Sequence, residues 1–275
     1  MLRPHSLLFL FLLAALALTS CTDVINLDLP QGQPLLAVDG AVTDQPGPYV
    51  VNLTRTAPYF NNAAAPRVTG AVLTLADNQG HAETLRERSP GVYVTSQLRG
   101  QIGNQYTLTI QADGQTYQAQ TEIRRSMKID SLGQKYFEKT TFADSAGYEV
   151  TYHGQELPGV GDYVRFKVYR NGRLWNKPDD LFVTSDELVD GNYLNFDFGG
   201  HSYKKGARVK VEINSLTKDY FNFLNELQTQ IDNRGIFAAP PANVRTNVRN
   251  VSAGGKAAVG YFAGYAVRAD SIVIK

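Results

Sequence analysis

QYTLTIQADGQTYQAQTE, residues 105–122, reads as one β-hairpin. Tyr106, Leu108 and Ile110 alternate with Thr107 and Thr109, the two-residue period of a strand with one buried face. Asp113-Gly114 separates that run from the next and accepts the left-handed backbone of a type I′ turn. Working outward, runs rich in Val, Ile, Thr, Tyr and Phe recur between turn residues. Strands are expected at 35–42, 49–56, 71–76 and 91–96 on one side of the hairpin. On the other they are expected at 135–141, 148–153, 162–170, 174–175, 180–184, 193–198, 207–213, 257–262 and 266–274. Asn171-Gly172 is a second type I′ signal. In 162–170, Val164, Phe166 and Val168 alternate with Tyr163, Arg165, Lys167 and Tyr169, so one face is core and the other is wet or meets a partner.

A single helix is predicted at about 217–232. Leu216, Tyr220, Phe223, Leu224, Leu227 and Ile231 recur at helical spacing and form one apolar stripe, expected to pack on a sheet of the second domain. Thr217 can cap it, and Asp219 in the first turn complements the helix dipole. Strand–helix–strand alternation does not repeat, which argues against a parallel α/β sheet. The basic, irregular stretch Arg124-Arg125-Ser126-Met127-Lys128 is read as a boundary near 126. The expected fold is mainly β: two antiparallel β-sandwich domains, 35–125 and 126–275, the second carrying the helix.

The N-terminus reads as an address. Arg3 precedes an apolar run from Leu7 to Leu18, too short to span a bilayer as a helix and suited to a signal peptide. Leu18-Thr19-Ser20-Cys21 resembles the bacterial lipobox. The resemblance implies a signal peptide over 1–20, a diacylglycerol on the Cys21 thiol, and a lipidated tether over 21–34. Thr22 follows the cysteine where Asp would favour inner-membrane retention, so the outer membrane is the expected location, its face left open. Cys21 is the only cysteine of 275 residues, which excludes an internal disulfide and a cysteine-ligated metal. With 43% hydrophobic and 19% charged residues the chain is too apolar for disorder. Its 27 basic against 26 acidic residues leave no basic excess for a nucleic acid partner.

Chemistry is scarce. His81, His153 and His201 share no motif, and neither H-E-x-x-H nor G-x-S-x-G occurs. Ser215-Leu216-Thr217-Lys218 has the S-x-x-K spacing of an acyl-enzyme nucleophile but lacks its partner motifs, so a capping role is expected. Asp186, Glu187 and Asp190 are a weak calcium candidate, because a loop dense in carboxylates supplies hard oxygen ligands. Tyr59-Phe60-Asn61-Asn62 and Trp175-Asn176 join aromatics to amides inside expected loops. That combination stacks on and hydrogen-bonds a sugar or peptide, making Tyr59, Phe60, Asn61, Asn62, Trp175 and Asn176 the candidate ligand-binding residues. No cofactor and no enzymatic activity are expected.

Pro34-Leu35-Leu36-Ala37-Val38-Asp39-Gly40, Gly47-Pro48-Tyr49-Val50 and Leu53-Thr54-Arg55-Thr56-Ala57-Pro58-Tyr59-Phe60 resemble the opening of a Bacteroidota lipoprotein family, domain of unknown function 4249. Ser185-Asp186-Glu187-Leu188-Val189-Asp190-Gly191, Pro240-Pro241-Ala242-Asn243-Val244 and Gly260-Tyr261-Phe262 continue the likeness. Gly103-Asn104-Gln105-Tyr106-Thr107-Leu108 also resembles transthyretin-like and carboxypeptidase-regulatory sandwiches. The resemblance implies an outer-membrane lipoprotein, a non-enzymatic accessory or substrate-binding partner of a TonB-dependent receptor in nutrient uptake. The alternative is a structural or adhesive surface lipoprotein without a small ligand. An exposed, concave aromatic site favours the first; flat polar sandwich ends favour the second. The resemblance also implies Bacteroidota-type O-glycosylation at Asp-Ser followed by a small or apolar residue, which selects Ser131, Ser145 and Ser271.

Overall fold

The computed structural model describes residues 33–57, 63–139, 146–177, 180–199, 202–233 and 242–275. In chain order the first strands are β1 (Leu36–Thr43), β2 (Val50–Arg55), β3 (Val72–Asp77), β4 (Ala82–Thr84), β5 (Arg86–Ser89), β6 (Val92–Val94), β7 (Gln105–Ala112) and β8 (Gln115–Glu122). They are followed by β9 (Ser131–Phe137), β10 (Gly147–Gln155), β11 (Tyr163–Arg170), β12 (Arg173–Leu174), β13 (Phe182–Ser185), β14 (Tyr193–Asp197) and β15 (Arg208–Leu216). Helix α1 (Lys218–Asp232), β16 (Val248–Asn250), β17 (Ala258–Tyr265) and β18 (Val267–Val273) complete the order.

The hairpin forms as read. β7 and β8 pair from Gln105 opposite Glu122 to Ala112 opposite Gln115, and Asp113 and Gly114 both take positive φ, 51° and 71°. Tyr106, Leu108 and Ile110 are buried, with Thr107 and Thr109 on the other face. Asn171 and Gly172 turn the chain in the same way between β11 and β12. The sequence reading missed β4, β5 and β16, three or four residues each. β5 reads Arg-Glu-Arg-Ser, the charged composition of an edge strand that resists further pairing.

Two layered bodies result. In the first, the sheet β17-β1-β2-β6-β5 covers the sheet β16-β8-β7-β3-β4 around a core that includes Leu36, Leu53, Leu73, Leu108 and Phe262. In the second, β14-β10-β9 covers β12-β11-β15-β18, with β13 also paired to β11, around Val150, Tyr152, Phe166, Val211 and Ile213. The fold is mainly β with antiparallel sheets, except that β1 and β17 run parallel, Leu36 opposite Ala258 through Thr43 opposite Tyr265.

That parallel pair overturns the expected division at 126. β16 and β17 lie beyond the boundary in sequence yet complete the two sheets of the first body. Val248, Ala258 and Phe262 belong to its core. The chain then crosses back at Ala266, whose N–H donates to Ser215 Oγ, and β18 joins β15 of the second body. Pro34–Lys275 is accordingly one compact unit. The supposed linker is fastened too: Arg124 and Lys128 carbonyls accept hydrogen bonds from Ser215 Oγ and the Tyr152 hydroxyl. Alternation identifies a strand but carries no information about which edge it will meet.

The helix starts where expected. Thr217 is its N-cap, with Oγ1 accepting from Tyr220 N–H at 3.1 Å. Its stripe, however, does not pack on the second body alone. Phe223 and Leu224 bury against Tyr261 and Ala263 of β17, with Tyr163 and Val183 of the second body alongside. Tyr220 stacks on Tyr261 at 4.7 Å between centroids, while Phe221 lies 4.8 Å from Tyr163. The helix therefore closes the seam between the bodies.

Candidate functional site

β13 and β14 are edge strands of facing sheets in the second body, and among the described residues no strand bridges them. Aromatic side chains occupy the opening. Phe166 of β11 forms the floor, with Phe182 stacked on it at 5.2 Å and 22°. Phe196 and Phe198 meet Phe166 edge-on at 5.3 and 5.5 Å. Tyr152 stands 5.7 Å from Phe166. Edge-to-face packing of this kind favours a rigid aromatic surface. Phe182 leaves 42% of itself exposed, a large apolar ring open to solvent.

A cavity lies on each side of the Phe166–Phe182 stack. One, of about 170 Å³, is apolar along Val164, Leu194 and Phe196, with Glu156 and Asp186 at one end. The other, of about 280 Å³, is lined by Trp175, Phe182 and Phe198 together with Asp180 and Asp197. Trp175 is held there by its backbone N–H donating to the Val168 carbonyl, by Tyr203 at 6.1 Å between ring centroids, and by Lys177 Nζ over its ring at 5.9 Å. The result is a concave aromatic cleft with carboxylates on its margins. Such a surface accommodates a flat or apolar group and, through the acids, a positive charge.

The expected carboxylate loop is only partly brought together. Asp186 and Asp190 converge, but with Glu156 and not with Glu187, which is exposed. The ligand oxygens of Glu156, Asp186 and Asp190 all lie within 4.8 Å of one another. Each is occupied by backbone amides: Gly191 N–H donates to Glu156 Oε2 at 2.7 Å, Gly159 N–H to Asp190 Oδ1 at 2.6 Å, and Gly161 and Asp162 N–H to Asp186. Arg125 clamps the same loop through Asp162 and the Pro158 and Gly159 carbonyls. Oxygen donors of this kind suit a hard cation, yet the amides already turn them into a brace between two loops. Burial pushes the Glu156 carboxyl above the usual carboxylate range, reinforced by Asp162 and Asp186, while the Gly191 and Leu157 amides oppose it.

The remaining expected site residues that the structure describes do not come together. Trp175 lines the cleft, and Asn176 beside it is exposed. Tyr59, Phe60, Asn61 and Asn62 lie outside the described residues, as do Cys21, Ser145 and His201. Ser131 and Ser271 are exposed, on β9 and β18. Ser215 is buried, its hydroxyl taken up by the Arg124 carbonyl and the Ala266 amide. Sequence reasoning missed Phe182, Phe196, Phe198 and Glu156 as site residues. The phenylalanines read as ordinary core positions of strands, and Glu156 stands in no recognisable motif.

No curated protein matches this chain. Among solved structures it is similar to a two-domain fibronectin type-III segment from chicken tenascin, at 14% identity and a TM-score of 0.21, over 67% of this chain and 92% of that one. The model of the family described as domain of unknown function, DUF4249, matches residues 22–271, and the chain belongs to that family.

Proposed function

We propose that this protein is a non-enzymatic, lipid-anchored outer-membrane protein that acts as a binding accessory of a TonB-dependent receptor in nutrient uptake. In this reading Cys21 carries the acyl chains, and the second body presents its aromatic cleft to the receptor or to the substrate the receptor imports. The observation that carries it is the exposed, concave aromatic surface around Trp175 and Phe182. A purely structural surface protein has no use for an open aromatic cleft, and exposed rings of this size mark binding sites. A non-enzymatic role is supported by the group of three convergent carboxylates found among the described residues, Glu156, Asp186 and Asp190, each of which accepts a hydrogen bond from a backbone amide.

The test is affinity capture of the native lipoprotein from detergent-solubilised outer membranes after mild crosslinking, read by mass spectrometry. A TonB-dependent receptor in stoichiometric amount is expected. The Trp175→Ala/Phe182→Ala double variant, targeted to the same membrane, should recover at least about tenfold less of it, as loss of an aromatic anchor does. Recovery of the lipoprotein without a receptor, or equal recovery with both proteins, overturns the reading.

A further inference from the structure

The second face of β11 turns toward the first body. Val164 and Phe166 enter the core of the second body, whereas Arg165 and Lys167 line a cavity of about 280 Å³ that also touches β1, β2, β15, α1 and the end of β17. Exposed Asp39 and half-buried Asn52 stand at its solvent rim, joined by a 3.3 Å hydrogen bond from Asn52 Nδ2 to Asp39 Oδ2. Tyr220 and Tyr265 form its sides, and Asn214 lies deeper, 1% exposed.

Of the charged groups that line this cavity, Lys167 is matched by Glu212. Glu212 accepts from Lys167 Nζ at 3.5 Å, Lys210 Nζ at 3.0 Å and Asn214 Nδ2 at 3.2 Å. Lys167 also lies over the Tyr265 ring at 5.3 Å. Two buried atoms in the wall have no hydrogen-bond partner among the described residues: Arg165 Nε and Asn214 Oδ1. Buried polar atoms left in this way are costly and call for an occupant.

One orphan is a donor and the other an acceptor, which selects the chemistry. A carboxylate can accept from Arg165 but has no proton for Asn214 Oδ1, and an ammonium has the opposite fault. A hydroxyl does both. Water does so as well, and the cavity has room for several molecules. The remainder of the wall favours an organic ligand: a carboxylate and an amide at the mouth, and two phenols at the sides. Directional polar groups beside aromatic rings hold and orient a small hydroxylated ring.

We propose that this cavity binds a small polyhydroxylated molecule of monosaccharide size, with Arg165 and Asn214 at its floor and Asp39 and Asn52 at its mouth. The site is separate from the aromatic cleft, so it stands or falls independently of the receptor partnership.

The experiment is saturation-transfer NMR on the full-length protein in a detergent without a sugar headgroup. The probes are D-glucose, D-galactose and D-mannose, with acetate as an acceptor-only control. Transfer to at least one sugar and none to acetate is expected. Asn214→Leu should weaken that sugar at least about tenfold, the loss of one buried hydrogen bond. The rim variant Asn52→Ala, which leaves the buried wall untouched, should weaken it several-fold and guards against misfolding of the first variant. Val251→Ala, at an exposed residue that lines neither this cavity nor the aromatic cleft, should leave it unchanged. Transfer to none of the three sugars, transfer to acetate alone, or sugar binding indifferent to both Asn214→Leu and Asn52→Ala overturns the proposal.

Discussion

Glu156 is 3% exposed and faces the carboxylates of Asp186 and Asp190. Burial, first of all, and the nearby Asp162 and Asp186 disfavour its ionised form, which places its pKa above that of a free glutamate. The folded state therefore bears a cost above that raised pKa, and the cost disappears once the group is protonated in folded and unfolded chains alike. Glu156→Gln keeps an oxygen for the Gly191 amide and removes the charge. Its melting temperature at pH 7 should rise by about 3 °C, the shift that roughly 1 kcal/mol gives a chain of this size. That gain should shrink as the pH falls through the glutamate range, as scanning calorimetry at pH 7 and pH 4 would report. A lower melting temperature at pH 7 would mean that something neutralises the three carboxylates together. At this scale the sequence marked Asp186, Glu187 and Asp190 as a carboxylate group, of which the structure keeps Asp186 and Asp190 and leaves Glu187 out. Glu156 was invisible because only the meeting of two loops brings it there.

β17 shows how an element outgrows its own pattern. Its residues Tyr261, Phe262 and Ala263 are all buried, Phe262 toward the first core and its neighbours toward the helix. A strand covered on both faces shows no clean alternation, which is why periodicity alone did not assign its partners. Its free edge is covered by side chains: Asn247 donates to the Phe262 carbonyl and accepts from the Phe262 amide, and Thr246 Oγ1 donates to the Gly260 carbonyl at 2.6 Å. Gly260 has φ +89° and sits against the Val38 backbone of β1. A methyl group there meets both a left-handed backbone and a packed neighbour. Gly260→Ala should destabilise by about 3 kcal/mol, combining left-handed strain with overpacking. Gly254→Ala, also at positive φ but with open space around it, should cost only about 1 kcal/mol. Urea unfolding midpoints of the two variants separate these contributions.

For the whole molecule, the return of β16 and β17 to the first body makes the two bodies interdependent. A chain ending at residue 125 lacks the parallel partner of β1 and the core residues Val248, Ala258 and Phe262. Such a fragment should give poorly dispersed amide NMR spectra and no cooperative thermal transition, whereas the full chain melts cooperatively. A well-dispersed, cooperatively melting fragment would restore the division at 126 as a true domain boundary. The same interdependence creates the cavity behind β11, since its walls come from both bodies.

The local features of this fold were readable from residues 105–122, 171–172 and 217–232 because short-range physics governs them. Two-residue alternation, the left-handed preference of Asp-Gly and Asn-Gly, and a capping threonine each act within a few positions of the chain. Trp175 was likewise marked by its aromatic–amide neighbourhood. The sequence by itself determined most of the longer strands, the two Asx-Gly turns, and the helix and its start, but not the short strands β4, β5 and β16. Only the tertiary structure decided which sheet received β17, what the polar face of β11 confronts, and how the aromatic cleft and the Arg165–Asn214 cavity assemble. Those outcomes depend on pairings between distant segments, and a period-two strand of the right length carries no mark of the edge it will join.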